Sequence, residues 1–179
     1  MRAEPGTVLH FSEDPHLGRF VPHVARTATE RAALVWAVDA ASSPSYWFPR
    51  QCPRALAWVR PGTTEADRRA VLGPEAERVH VVEYGWLTRI QTTRLYAYRF
   101  DAADFRPYGE PEPHAHVADH PVTPLGPPRP VGDLLALHEE AGIELRLVHD
   151  LRPWWRAVTR STVGHSGIRL AGARSPAGR

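Results

Sequence analysis

Eighteen of the 179 residues are proline, about twice ordinary usage, and this constrains the chain more than any other feature. Proline fixes φ, lacks a backbone N–H and breaks helices and central strands. Regular elements must therefore be short and separated by loops. A chain of this length buries about two thirds of its unfolded surface, enough for one core. With 42% apolar and 23% charged residues, wholesale disorder is excluded. The expectation is a single α+β domain over residues 1–170, with a mixed, mostly antiparallel sheet and a few short helices. The stretch after Leu170 is Gly, Ala, Ser, Pro and Arg with nothing to bury, so residues 171–179 are expected to form a disordered tail.

Apolar runs place the strands. Val8 to Phe11, Leu34 to Val38, Ala55 to Val59, Val79 to Glu83, Thr93 to Phe100 and Glu144 to Val148 all have strand composition. Residues 40–47 carry enough Ala and Ser to begin a brief helix before Pro49. Thr64 suits the cap of a helix ending at Gly73-Pro74, and Asp150 the cap of one running through Trp154, Trp155 and Val158. Leu134, Leu135 and Leu137 recur at helical spacing before Gly142. Residues 101–130 are rich in Pro, His and acids, so they are expected to be the least ordered stretch, a lid or crossing loop with a short strand around Val117 and Val122.

Charge and cysteine usage remove several function classes. All 22 basic residues are Arg, the formal net charge is +2, and no Arg cluster is interleaved with aromatics as a phosphate-tracking groove requires, so nucleic acid is not an expected partner. A lone cysteine, Cys52, permits no internal disulfide, which fits a reducing, cytoplasmic compartment. No run approaches the roughly 20 apolar residues that span a bilayer.

Several residues carry candidate chemistry. His10, at a strand end beside Ser12, Glu13 and Asp14, suits general-base work or a hydrogen bond to ribose; a satisfied core histidine is the alternative. Arg50 and Arg54 flank a Pro-constrained bend after three aromatics. They suit a phosphate or carboxylate, with Tyr46 or Trp47 stacking on a ring; aromatic core packing with solvated arginines is the alternative. Cys52 lacks a local His and reads as a buried hydrophobe rather than a nucleophile. His114, His116, Asp119 and His120 fall within seven residues, one residue out of register with the motif His-x-His-x-Asp-His. They leave open a metal-dependent enzyme beside a plain polar loop, and no metal ligand is assigned. Gly164-His165-Ser166-Gly167 lacks the last glycine of a nucleophile elbow and is set aside. Trp154 and Trp155, beside Arg152 and Arg156, read as core packing rather than a binding face.

Four strings carry a resemblance: Leu9-His10-Phe11-Ser12-Glu13-Asp14-Pro15, Tyr46-Trp47-Phe48-Pro49-Arg50-Gln51-Cys52-Pro53-Arg54, Thr92-Thr93-Arg94-Leu95-Tyr96 and Ser166-Gly167-Ile168-Arg169-Leu170. Together they resemble a bacterial domain of unknown function, up to about Leu170, which implies no activity. The order of His10 on a first strand, then Val35-Trp36-Ala37 leading to Tyr46, is also similar to the ADP-ribosyltransferase fold. That likeness implies NAD as substrate, with His10, Tyr46 and Asp119 as catalytic residues and Ser12, Trp47, Arg50 and Arg54 around the ligand. Asp119 stands where the fold usually carries Glu. A non-catalytic domain binding a small anionic metabolite or a protein partner through Arg50 and Arg54 is the rival reading.

Overall fold

The structure is a computed structural model that describes residues 1–24, 32–110 and 113–173. The chain is α+β and divides into two compact units, each built from two separate stretches of chain: Met1–Arg50 with Thr93–Gly132, and Gln51–Thr92 with the residues from Asp133 onward.

The first unit is antiparallel throughout. Strands β1 (Thr7–Ser12), β5 (Tyr96–Asp101) and β8 (Arg129–Pro130) form one sheet in the order β1-β5-β8. A second sheet has the order β2-β7-β6, from β2 (Val35–Ala37), β7 (Ala115–Ala118) and β6 (Arg106–Tyr108). Mutual backbone bonds between Leu9 and Val38, each 2.8 Å, join the sheets. Pleating sends alternate side chains to opposite faces. Val8, Val35, Ala37, Tyr98, Phe100 and Ala118 thus meet Phe20, Phe105 and Val122 in one core. Phe20 lies edge-on to Tyr98 and Phe100, with ring centroids 5.1 and 5.0 Å apart, a geometry that adds to simple burial.

The described parts of the stretch 101–130, residues 101–110 and 113–130, are thus more ordered than their composition predicts. Strand β7 contains Val117 as expected, and Val122 bridges Phe20. The unexpected partner is β6, which contains Pro107 and is an edge strand, where proline's missing N–H costs no ladder bond. Residues 40–47 contribute only a short 3₁₀ turn, Ser43–Tyr46.

The second unit centres on a sheet of order β10-β3-β4-β9, from β3 (Arg54–Trp58), β4 (Arg78–Glu83), β9 (Glu144–Val148) and β10 (Gly164–Ile168). Among the described residues of this sheet only the β4–β9 pair is parallel. Helix α1 (Glu65–Asp67), capped by the Thr64 hydroxyl, runs into a wider turn over Arg68–Leu72. Short helices α2 (Leu87–Thr92), α3 (Leu134–Glu140) and α4 (Leu151–Val158) complete the unit. Ala55, Ala57, Val79 and Val81 on one sheet face pack with Val71, Leu72, Leu151, Val158 and Val163. Asp67 accepts from both the backbone and the hydroxyl of Thr162, at 2.8 and 2.6 Å, tying the α1 turn to the loop before β10.

A disordered tail is expected over residues 171–179. Leu170–Gly172 make a 3₁₀ turn, and Leu170 and Ala173 pack on the second core. Residues 174–179 of that expectation lie outside the described residues.

Candidate functional site

In the first unit, a cavity of about 70 Å³ is lined by Leu9, His10, Phe11, Trp36, Ala37, Val38, Tyr46 and Ala115. The Leu9–Val38 bridge and the β2–β7 pairing put Leu9, Phe11, Trp36, Val38 and Ala115 on one sheet face by alternation. Tyr46 joins them from the 3₁₀ turn, so the walls are largely aromatic and aliphatic. Trp36 is held edge-on to Tyr108 at 4.9 Å. A space of this size takes a few waters or one small ring; it is below the range that encloses a whole drug-sized ligand.

His10 borders the same cavity from the strand between Leu9 and Phe11. Its imidazole turns to the other side of the sheet, edge-on to Phe20 at 4.9 Å, and the residue remains partly exposed. Its Nδ1 lies 2.7 Å from the Trp36 carbonyl oxygen. A carbonyl only accepts, so Nδ1 carries the proton and Nε2 presents a lone pair. Burial lowers the His10 pKa, opposed by the hydrogen bond to Trp36, with the charges of Arg50 and His23 lowering it further. The ring is therefore a neutral acceptor around neutrality. Arg50 is exposed, and its backbone N–H donates to Glu13 at 2.7 Å.

Not every predicted residue joins this group. Ser12 is buried, its hydroxyl accepting from the Asp14 N–H at 3.1 Å. Trp47 is buried with its indole N–H donating to the Met1 carbonyl at 2.8 Å. Asp119 is exposed just beyond β7 and sits 3.2 Å from His120. That hydrogen bond holds its carboxyl below the usual range, with the Arg106 charge contributing in the same direction. Arg54 belongs to the second unit, is buried, and donates to the Cys52 carbonyl at 3.0 Å. Cys52 is buried there as well, and burial pushes its thiol up to about 12, the opposite of a nucleophile.

The histidine cluster does not gather around a point. His114 and Asp119 are exposed while His116 is partly buried in β7, because strand alternation and extension spread the run out. Among the described residues no group of three His, Cys, Asp or Glu could hold a metal ion. Ser166 sits in strand β10 rather than on an elbow. Trp154 and Trp155 pack against the second core, as their reading as core residues predicts. No helix of the described residues is long and apolar enough to cross a membrane.

Sequence reasoning missed two features. Trp36 lines the cavity and also supplies the carbonyl that orients His10. In the second unit, buried His80 and His138 lie 3.0 Å apart through Nδ1 and Nε2. The available signal was an imidazole in the run Val79-His80-Val81-Val82 and another four residues after Leu134.

Residues 9–173 match a family model described as a family of unknown function (DUF6886). No curated protein and no solved structure matches the chain. The match spans all four strings that carried the resemblance to a domain of unknown function.

Proposed function

The chain belongs to the family of unknown function DUF6886, and since that membership assigns no activity, we propose from the site itself that the first unit binds a nucleotide of the NAD type. The supporting observation is that His10 and Tyr46, 36 positions apart in the chain, border one cavity with aromatic walls. In this reading one heteroaromatic ring enters the cavity against Trp36 and Tyr46, and the rest of the ligand runs outside it, its ribose hydroxyls on the neutral Nε2 of the partly exposed His10 and its phosphates near the exposed Arg50. In group transfer, an acceptor's lone pair forms a bond to the anomeric carbon of NAD as the bond to nicotinamide breaks and its electrons leave with the neutral ring, while the acceptor's proton passes to solvent. His10 and Tyr46 orient the ribose for this step, and Asp119 steadies the developing positive charge.

A second reading, binding without catalysis, is favoured by a specific observation: among the described residues no carboxylate lines the cavity, and Asp119 is engaged with His120. Calorimetric titration with NAD and with ADP-ribose, paired with an assay for released nicotinamide, tests both. Binding should weaken about tenfold or more in Trp36→Ala and Tyr46→Ala, in line with about 1–3 kcal/mol per stacked base. Nicotinamide release that is lost in Asp119→Ala supports transfer, and binding without release supports the second reading. A folded protein that binds neither ligand overturns the proposal.

A further inference from the structure

The second unit contains a buried polar chain that the proposed site does not use. Arg78 Nε donates to His80 Nε2 at 2.9 Å, His80 Nδ1 lies 3.0 Å from His138 Nε2, and His138 Nδ1 lies 2.6 Å from the Leu134 carbonyl oxygen. The ends of the chain fix its direction. A carbonyl only accepts, so His138 carries its proton on Nδ1. An arginine Nε–H only donates, so His80 Nε2 accepts, and its own proton is on Nδ1, pointing to His138 Nε2. Each neutral ring thus has one lone pair, and each lone pair is already taken by a donor. A second proton on either ring must displace Arg78 from His80 or His80 from His138.

From this arrangement we propose that the His80–His138 pair is an acid-sensitive latch, holding helix α3 to strand β4 while His138 is neutral and releasing it when His138 takes up a proton on Nε2. His138 is on α3 and His80 on β4, so the bond between them crosses from helix to sheet. Both residues are about 99% buried or more, so no water replaces a lost partner without local opening. The buried carboxylate of Glu83, also on β4, accepts from the Leu151 N–H at 3.3 Å, and the charges that lower the His80 pKa are cationic. Arg78 on β4 and Arg54 on β3 are cationic, and each lowers the His80 pKa after burial itself, as Arg78 does for His138. On α3, Glu139 and Glu140 are exposed. On α2, Arg89 lies over the Trp86 ring at 5.5 Å. On β9, Glu144 is paired with Arg146 at 2.7 Å, and Arg146 is further occupied by the carbonyls of Val71 and Leu72.

The sign follows from the lowered pKa values. Both rings bind protons more readily once exposed, so the latch is closed above the ordinary imidazole pKa of about 6.5 and weakens as pH falls below it. Amide hydrogen exchange on the full chain from about pH 7.5 to about pH 5 tests this. Protection of the α3 amides, corrected for intrinsic rates, should fall about tenfold or more, against little change in β1 and β5. His138→Gln, which cannot charge, should abolish that selective fall. Unchanged α3 protection, or the same fall in His138→Gln, overturns the latch. Nitrogen-15 spectra of the unmodified protein decide independently of any variant's folding. Two Nδ1-protonated neutral rings at about pH 6 support it, and a charged ring there refutes it.

Discussion

His10 carries the proposed ligand contact through one nitrogen, because the other is committed to Trp36. Its folded pKa is lowered, chiefly by burial, so the acceptor form persists to lower pH than in a free imidazole. Ligand affinity measured by titration should stay level down to about pH 6.5 and decline only below it. A decline centred above that value would mean that His10 is not the titrating acceptor. The linked stability has the same sense: it is fully present above the unfolded value and is lost as pH falls through it. His10→Phe, which keeps an aromatic ring against Phe20 but lacks a nitrogen, should weaken binding about fivefold at neutral pH, the worth of one net hydrogen bond. How far such residues were legible in the sequence divides sharply. That His10 and Tyr46 border one cavity is in line with the strand-then-aromatic order, while their roles stand as proposals. The burial of Arg54 could not be anticipated, because nothing in a Pro-rich bend states which of its polar ends finds a backbone partner inside.

Among elements, the best-read ones combine a periodic apolar face with a chemical stop. Helix α3 has both: Asp133 accepts from the N–H groups of Leu135 and Ala136 at 2.8 and 3.1 Å, and Gly142 follows at φ 64°, a conformation that disfavours a side chain. Asp133→Ala should therefore cost about 1 kcal/mol, within a range of about 0.5–2 kcal/mol, read as a lower denaturant midpoint with an unchanged slope. Strand β10 was illegible for the reverse reason. Gly164-His165-Ser166-Gly167-Ile168 has no strand composition, and what selects it is the space its glycines leave. A Cβ on Gly164 would collide with the indole of its cross-strand partner Trp58, and one on Gly167 would come within 2.9 Å of Trp155. Strand β6 hid behind Pro107 in the same way, since a proline is admissible only once the strand is known to be an edge.

At the scale of the whole molecule, the chain crosses from one unit to the other after Arg50, Thr92 and Gly132. No single cut separates the units, since each draws on two stretches of chain. The family match likewise runs through both, from residue 9 to residue 173. These two facts support the proposal that residues 1–170 behave as one domain in the thermodynamic sense, with a single cooperative unfolding transition. Calorimetry on a pair of core variants tests it. Phe100→Ala removes a ring from the first core, at a cost of about 3–5 kcal/mol, and Leu151→Ala removes a side chain from the second, at about 2–5 kcal/mol. Each kcal/mol should lower Tm by about 2–4 °C in a chain of this length. In a cooperative domain either substitution moves the whole transition, so backbone and tryptophan signals remain superimposed in both variants. Two resolved transitions, with Phe100→Ala shifting one and Leu151→Ala the other, would show instead that the two cores melt separately.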